Sequence, residues 1–156
     1  MRLLELFDKT ADWSWDEDSS HADVATFEVG GRPYYIQFDH VTFDAEYFNG
    51  MFDIEDEYAL ICDVVFSMAR GVPSGKRGIS VTGTGNAYEV FATVKEIIDW
   101  YVNSNPNIDY LHFEASEPSR IKLYDRFVSA YPGRVEQRPW RDDPEDESSM
   151  HYLVKV

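Results

Sequence analysis

Two short stretches of the sequence combine residue types that can bind an anion at the start of a helix. Residues 82–87 read TGTGNA and run directly into a helical pattern. A helix start presents unpaired N–H groups and a partial positive charge, and glycines let a phosphate approach the backbone closely. Residues 115–119 read ASEPS and precede a second helical pattern. The candidate anion-binding residues are Gly83, Thr84, Gly85, Asn86, Ala87 and, in the second helix, Arg120.

The same glycines also have a purely structural interpretation. Gly83 and Gly85 can serve only the backbone geometry of a corner, with Asn86 as an ordinary helix N-cap. Two phosphate-binding motifs are excluded, because the chain has no G-K-[ST] and lacks the third glycine of a dinucleotide fingerprint. Whether this turn holds a phosphate or only turns a corner stays open at the level of the sequence.

The histidines and the single cysteine form no recognisable metal or nucleophile motif. We expect no metal site, because the four histidines have no ligand spacing with one another; they are His21, His40, His112 and His151. His112 lies in the middle of a predicted strand, which favours a core position over a catalytic one. Carboxylates are so abundant that pairs arise by chance, so none is assigned an acid–base role. Cys62 lies in an apolar run, YALICDVVF, which favours a buried and inert thiol.

The hydropathy pattern predicts the elements that would position the candidate residues. Residues 23–41 alternate in polarity on both sides of Gly30-Gly31, which is typical of a β-hairpin. Further strands are predicted at 57–68, 79–84, 108–116 and 149–156. An apolar stripe at helical spacing predicts a helix over 86–102, and Pro118 at a first helical position predicts another over 118–131.

This order of elements predicts the fold class. A strand–helix–strand unit over 79–115 requires parallel pairing through a right-handed crossover, whereas the hairpin is antiparallel. We therefore expect an α+β fold with a mixed, mainly antiparallel sheet, one parallel β-α-β unit and two main helices. No repeat or linker divides the chain, which predicts a single domain over residues 1–156. Ligands bind beyond the carboxyl ends of parallel strands, which is where both candidate turns are expected.

The acidic composition limits the kinds of molecule that the protein is expected to bind. Twenty-nine acids against fourteen bases give a formal net charge of −15. Nucleic-acid and anionic-membrane binders are basic, so direct binding to either is not expected. The absence of a long apolar run predicts no transmembrane helix, and a single cysteine predicts a cytoplasmic protein without disulfides.

The acids concentrate in three segments, residues 12–23, 43–57 and 142–147, while 78–134 is nearly balanced. Four reasons for this charge stay open: solubility, adaptation to salt, mimicry of nucleic acid and a docking face for a basic partner. Clusters in predicted loops fit poorly with a regularly spaced nucleic-acid mimic. Trp13 and Trp15 lie within the first segment, as core residues or as anchors for a partner.

Residues 57–131 resemble the core of the GNAT acyl-CoA N-acyltransferases. The family has a [QR]-x-x-G-x-[GA] turn between a strand and a helix, and a later helix carrying N-x-x-A-x-x-L-Y. Gly85 and Ala87 match the first motif, where Thr82 replaces Gln/Arg, and the LY pair ending at Tyr124 matches the second. The resemblance implies coenzyme A or acetyl-CoA as the ligand, with its pyrophosphate held by backbone N–H groups of Gly83 to Ala87. It also implies that Tyr124 protonates the leaving thiolate.

The phrases TGTGNAYEVFATV and FEASEPSRIKLYDRF are also similar to proteins of tailed bacteriophages, which implies a viral protein acting in an infected host's cytoplasm. Glu117 stands where the family has Asn, and Arg120 where it has Ala. These departures and the acidity favour a non-enzymatic protein that binds and inhibits a basic host partner. The alternative is an acetyl-CoA-dependent N-acyltransferase.

Overall fold

The computed structural model describes residues 10–17, 22–42, 52, 54, 58–68, 86–115, 118–131, 133, 135–140 and 149–156. The chain forms two compact units. The first unit combines Met1–Phe38 with Phe66–Ser104, and the second combines Asp39–Val65 with Asn105–Val156.

The first unit contains an antiparallel set of strands and one long helix. Strand β1 spans Trp13–Trp15, β2 spans Asp23–Val29 and β3 spans Arg32–Thr42, whose residues up to Phe38 belong to this unit. Strand β2 pairs with β1 on one side and with β3 on the other, antiparallel in both cases. Helix α1 spans Asn86–Ser104.

The turn between β2 and β3 consists of Gly30 and Gly31, whose φ angles are 59° and 75°. Positive φ at both central residues is typical of the hairpin turns that match the twist of the strands, and glycine adopts it without steric cost. The register that follows pairs Ala25 with Ile36 and Phe27 with Tyr34. All four of these side chains are buried, so one face of the hairpin forms the core of the first unit.

Aromatic residues join this hairpin to α1. The rings of Phe38 and Tyr101 stack with centroids 3.9 Å apart. Trp15 lies against Tyr101 and Trp100 of the helix at 5.7 and 5.4 Å. The indole N–H of Trp13 donates a hydrogen bond to Glu96 Oε2 at 3.1 Å. Both tryptophans of β1 are half-buried and pack onto α1, as the core interpretation of the sequence expects.

The second unit contains the mixed part of the sheet and the second helix. Its elements are β4 (Leu60–Met68, up to Val65 in this unit), β5 (Tyr110–Ala115), α2 (Pro118–Ser129), β6 (Val135–Trp140) and β7 (Ser149–Lys155). Its strands follow the order β4-β5-β7-β6. Strands β4 and β5 are parallel, whereas β7 is antiparallel to both β5 and β6.

The predicted fold class is confirmed: the strands are mostly antiparallel, with one parallel pair and two main helices. Both helices begin at the expected residues, Asn86 and Pro118, and end within two residues of the predicted ends. The strand parallel to β5 is β4, whereas the predicted strand 79–84 lies outside the described residues. Strands β1 and β6 have no counterpart among the predicted elements. Neither described helix is long and apolar enough to span a membrane.

Candidate functional site

The predicted anion-binding residues fall mostly outside the part of the chain that the structure describes. Gly83, Thr84 and Gly85 lie in an undescribed segment. Asn86 and Ala87 form the first residues of α1, and Arg120 lies in the first turn of α2, but their side chains are not described either. The phosphate-binding turn therefore stays a prediction.

The parallel ladder between β4 and β5 ends early. Its bridges pair Ile61 with Tyr110, Cys62 with Leu111 and Asp63 with His112. Both strands continue in the second unit, yet no bridge joins Val64 and Val65 to residues 113–115. We call these five residues the ladder end. Backbone N–H and C=O groups of adjacent parallel strands normally bond to each other, so a ladder that stops leaves facing edges for a ligand.

One face of the ladder end is covered by α2. Phe113, the first β5 residue past the last bridge, contacts Tyr124 and Phe127 with ring centroids 5.4 and 5.6 Å apart. Tyr124 is only 3% exposed. The GNAT resemblance implies a general-acid role for this residue, and its ring lies beside the point where the ladder stops.

Tyr152 fixes the position of α2 on this face. It lies opposite Phe113 in the register of β7, and its hydroxyl donates a hydrogen bond to Asp125 Oδ1 at 2.7 Å. Burial raises the pKa of Tyr152 well above its usual value, and the hydrogen bond to the Asp125 carboxylate raises it further. Tyr152 therefore stays protonated and braces the helix, whereas Tyr124, 6.0 Å away between ring centroids, borders the ladder end.

The opposite face carries a chain of titratable side chains. Successive residues of a strand point to opposite faces, so His112 points away from the face that Phe113 occupies. Its Nδ1 lies 2.7 Å from Asp63 Oδ1, across the last bridge of the ladder. Its Nε2 lies 2.9 Å from Nδ1 of His151. His151 Nε2 in turn lies 4.0 Å from Glu114 Oε1.

The two ends of this chain reach solvent, while its middle is buried. His112 and His151 are 5% and 2% exposed, whereas the Asp63 and Glu114 side chains are 35% and 54% exposed. Val65, two residues after Asp63 and on the same face, is also exposed. The side of the ladder end that faces away from α2 thus presents accessible carboxylates beside an apolar group.

Sequence reasoning missed this cluster. The histidines were judged by their spacing along the chain, and 39 residues separate the two. In the β5–β7 register His112 lies opposite Leu153 and His151 lies opposite Glu114, which makes the histidines diagonal neighbours on one face. The available signal was a single histidine within each of two apolar strands, LHF and MHYL. The expected core position of His112 is confirmed, and Cys62 is buried as expected.

The arrangement differs from a metal site. The groups are bonded in a row, so their nitrogens and oxygens face one another instead of a shared point. Among the described residues no three His, Cys, Asp or Glu side chains are placed to hold a metal ion.

Comparison with protein-family models gives no match, and neither does comparison with curated proteins. Solved structures with similar backbones include a GNAT-family acetyltransferase from Streptococcus pneumoniae, with a TM-score of 0.46, 10% identity, and coverage of 89% of this chain and 70% of that one. Arabidopsis thaliana NAA60 in complex with acetyl-CoA has a TM-score of 0.49 and 10% identity, and the match covers 89% of this chain and 78% of that one. A bacterial toxin has a TM-score of 0.47 and 12% identity, and the match covers 88% of this chain and 69% of that one.

Proposed function

We propose that this protein is an acetyl-CoA-dependent N-acyltransferase whose reaction takes place at the β4–β5 ladder end. The observation that carries the proposal is the early stop of the ladder at Asp63 and His112, between Tyr124 on one face and titratable side chains on the other. Acyl transfer from a thioester to an amine needs both functions, because the amine releases a proton and the departing sulfur takes one up.

The residues fit the ligand that the GNAT resemblance implies. Backbone N–H groups of Gly83 to Ala87 and the side chain of Arg120 would hold the pyrophosphate of coenzyme A. The facing edges of Val64–Val65 and Phe113–Ala115 would bond the amide groups of its pantetheine arm, as strands bond one another. The bound thioester supplies an activated acyl group. Tyr124 would donate a proton to the sulfur, because its ring borders the ladder end.

The experiment is a coupled test of binding and turnover. Equilibrium unfolding in the presence of acetyl-CoA should show stabilisation of about 2.7 kcal/mol at 100 times the dissociation constant. Release of free thiol from acetyl-CoA should then depend on an added primary amine. The proposal fails if millimolar acetyl-CoA neither raises the unfolding midpoint nor releases thiol with any amine of a broad panel.

A second candidate function rests on a different observation, the net charge of −15. Asp12, Asp16 and Glu17 are exposed in the described part of the first acidic segment. This charge supports binding and inhibition of a basic protein without catalysis, and the resemblance to phage proteins implies that this partner belongs to an infected host cell. Affinity capture from host lysate at low salt should then retain a basic protein, and 0.5 M NaCl should release it. Retention that is insensitive to salt would contradict this function.

A further inference from the structure

Three tryptophans of the first unit form an aromatic cluster that is partly open to solvent. Trp13 and Trp15 of β1 lie opposite Phe27 and Ala25 in the register of β2, so both indoles project from the face of the sheet on which α1 packs. Trp100 of α1 contacts both of them. The two β1 tryptophans are half-buried, whereas Trp100 is 49% exposed. We call Trp13, Trp15 and Trp100 the tryptophan cluster.

The three indoles of the tryptophan cluster touch one another without stacking. Their ring centroids lie 5.4–5.8 Å apart, and the planes of the three pairs are inclined by 48–89°. Rings at this separation are in contact, so no ligand fits between them. A ring that turns its edge to a neighbour keeps its own faces uncovered by that neighbour. A ligand of this cluster would therefore lie against an indole face on its outer, solvent-exposed side.

The position of Trp100 on α1 is typical of a binding surface. Ile97, Ile98 and Tyr101 belong to the buried stripe of this helix, and Trp100 lies beside that stripe on the exposed side. The exposed side of an amphipathic helix is usually polar. A contiguous exposed aromatic surface with a polar border marks interaction sites, and tryptophan is enriched among the residues that contribute most to binding.

Carboxylates border the tryptophan cluster. The indole N–H of Trp13 donates a hydrogen bond to Glu96 Oε2 at 3.1 Å, and Glu96 lies four residues before the tryptophan of α1 on the same side of the helix. A carboxylate accepts several hydrogen bonds, so Glu96 can still accept from a ligand. Asp23 accepts a hydrogen bond at 2.6 Å from the hydroxyl of Tyr101, whose ring lies against Trp15.

The positive charges described in the first unit do not offset these carboxylates. Lys95 Nζ lies 2.6 Å from Asp99 Oδ2, in an ion pair along α1. Among the described residues of this unit the other basic side chain is Arg32, which follows the Gly30-Gly31 turn. The cluster therefore lies in a region of negative potential, to which the net charge of −15 adds.

We propose that the tryptophan cluster binds an arginine side chain of a basic partner protein. A guanidinium group can stack on an indole face, whose quadrupole attracts cations, while its N–H groups donate in the plane of the group to a carboxylate such as Glu96. A lysine ammonium has neither the flat surface nor the paired donors, so arginine is the favoured cation.

The inference names a site for the second candidate function, on which it rests for the basic partner, and it is independent of acyl transfer. Charge complementarity selects the occupant, because exposed aromatic surface beside carboxylates suits a cation that is both flat and polar. A second copy of this chain carries the same net charge of −15 and would be repelled.

The first test uses the peptide acetyl-Gly-Arg-Gly-Arg-Gly-amide and its lysine and citrulline counterparts. Citrulline has nearly the shape of arginine but carries no charge. Titration of ¹⁵N-labelled protein in 20 mM NaCl should shift the indole N–H signals of Trp13 and Trp100, and affinity should decrease in the order arginine, lysine, citrulline. Equal affinity for the arginine and citrulline peptides would overturn the proposal, and so would no binding of the arginine peptide at millimolar concentration.

The second test removes an aromatic ring without changing the net charge. Trp100→Ala should weaken binding of the arginine peptide by about fivefold, the usual size of an exposed cation–π contact. Tyr88→Ala is the matched control, because Tyr88 is another exposed ring of α1 and lies about 18 Å away along the helix axis. Its affinity should equal that of the wild type. Unchanged affinity in Trp100→Ala, or an equal loss in both variants, would overturn the proposal.

The third test separates the local carboxylate from the overall charge. Glu96→Gln keeps an acceptor for the indole of Trp13 but removes the charge, so affinity for the arginine peptide should fall. Glu28→Gln removes the same charge from the opposite face of the sheet, since Glu28 alternates with buried Phe27 and Val29, and should have a smaller effect. Equal losses would overturn the site, because the net charge alone would then account for the binding.

The outcomes distinguish the site from the second candidate function. Equal affinity capture of a basic host protein by the wild type and by Trp100→Ala would overturn the site and leave that function in place. Selective binding of the arginine peptide without capture of any basic protein would support the site and overturn the function. A wild-type dimer in sedimentation that Trp100→Ala dissociates would assign the surface to a second copy of this chain and overturn the proposal.

Discussion

At the scale of the residue, Tyr124 and Tyr152 are neighbouring tyrosines to which different contacts give different roles. Both are buried, and their ring centroids lie 6.0 Å apart. Tyr152 is kept protonated by burial and by the hydrogen bond that its hydroxyl donates to the Asp125 carboxylate. Tyr124 instead packs against the first β5 residue past the last bridge. The contacts of the two phenols therefore distinguish the proposed proton donor from the residue that braces α2.

Tyr124→Phe tests the assignment of the proton donor. The change preserves ring packing but removes the hydroxyl, so kcat should fall by about 10²–10⁴-fold, the usual contribution of general acid catalysis. The protein should still bind acetyl-CoA, because the ring contacts remain. Tyr58→Phe, at an 86% exposed position, is the matched control and should leave kcat unchanged. Equal kcat values for wild type and Tyr124→Phe would contradict the assignment.

Tyr152 predicts a dependence of stability on alkaline pH. Its pKa is raised in the folded state, while the unfolded chain has a tyrosine pKa of about 10. The folded state therefore holds the proton more tightly, so this contribution is complete below pH 10 and is lost as the pH rises above it. Urea unfolding between pH 8 and pH 11 should show a steeper loss of stability for wild type than for Tyr152→Phe. Parallel curves would contradict the prediction.

At the scale of the element, the sequence predicted the features that depend only on residues close together in the chain. The stripe of α1 and the Gly30-Gly31 turn follow from spacing and backbone freedom. Strand β1 was missed because three residues are too few to show a period. Strand β6 was missed because it contains Pro139, and a proline within a run of residues argues against a strand. Proline is tolerated here because β6 lies at the end of the second unit's strand order.

The hydrogen-bonded row of Asp63, His112 and His151 could not be predicted in the same way, because it depends on register between distant strands. Asp63 meets His112 through parallel pairing, and His151 reaches them from β7 through antiparallel pairing. No spacing along the chain encodes either meeting. Tyr124 was found because a family motif marks it, whereas Gly83, Thr84 and Gly85 lie outside the described residues.

The β2–β3 turn gives a prediction on stability. Gly31 has a φ of 75°, and a Cβ added there meets no atom within 4 Å. Gly31→Ala should therefore lower the free energy of unfolding by about 1–2 kcal/mol through backbone strain alone. Gly31→Asn, whose side chain tolerates this conformation better, should cost less. Urea unfolding of both variants checks the order, and a larger loss for Asn would contradict it.

At the scale of the whole molecule, the net charge of −15 acts oppositely on the two proposed substrates. It attracts an ammonium acceptor and repels the phosphates of acetyl-CoA. Added salt screens both effects. The KM for a primary amine such as n-butylamine, which is a cation at neutral pH, should therefore rise between 50 and 500 mM NaCl, while the KM for acetyl-CoA should fall. KM values that change in the same direction for both substrates would show that the protein's net charge does not govern their binding.

The central claim is that acetyl-CoA occupies the end of the β4–β5 ladder, and amide spectra recorded during a titration with coenzyme A test it most directly. Titration of ¹⁵N-labelled protein with coenzyme A should shift the backbone amides of Val64, Val65 and Phe113–Ala115. Gly30 and Gly31 at the hairpin tip serve as the internal control and should not move. Shifts of the five ladder-end amides are the predicted result. Unchanged ladder-end amides at millimolar coenzyme A would contradict the account.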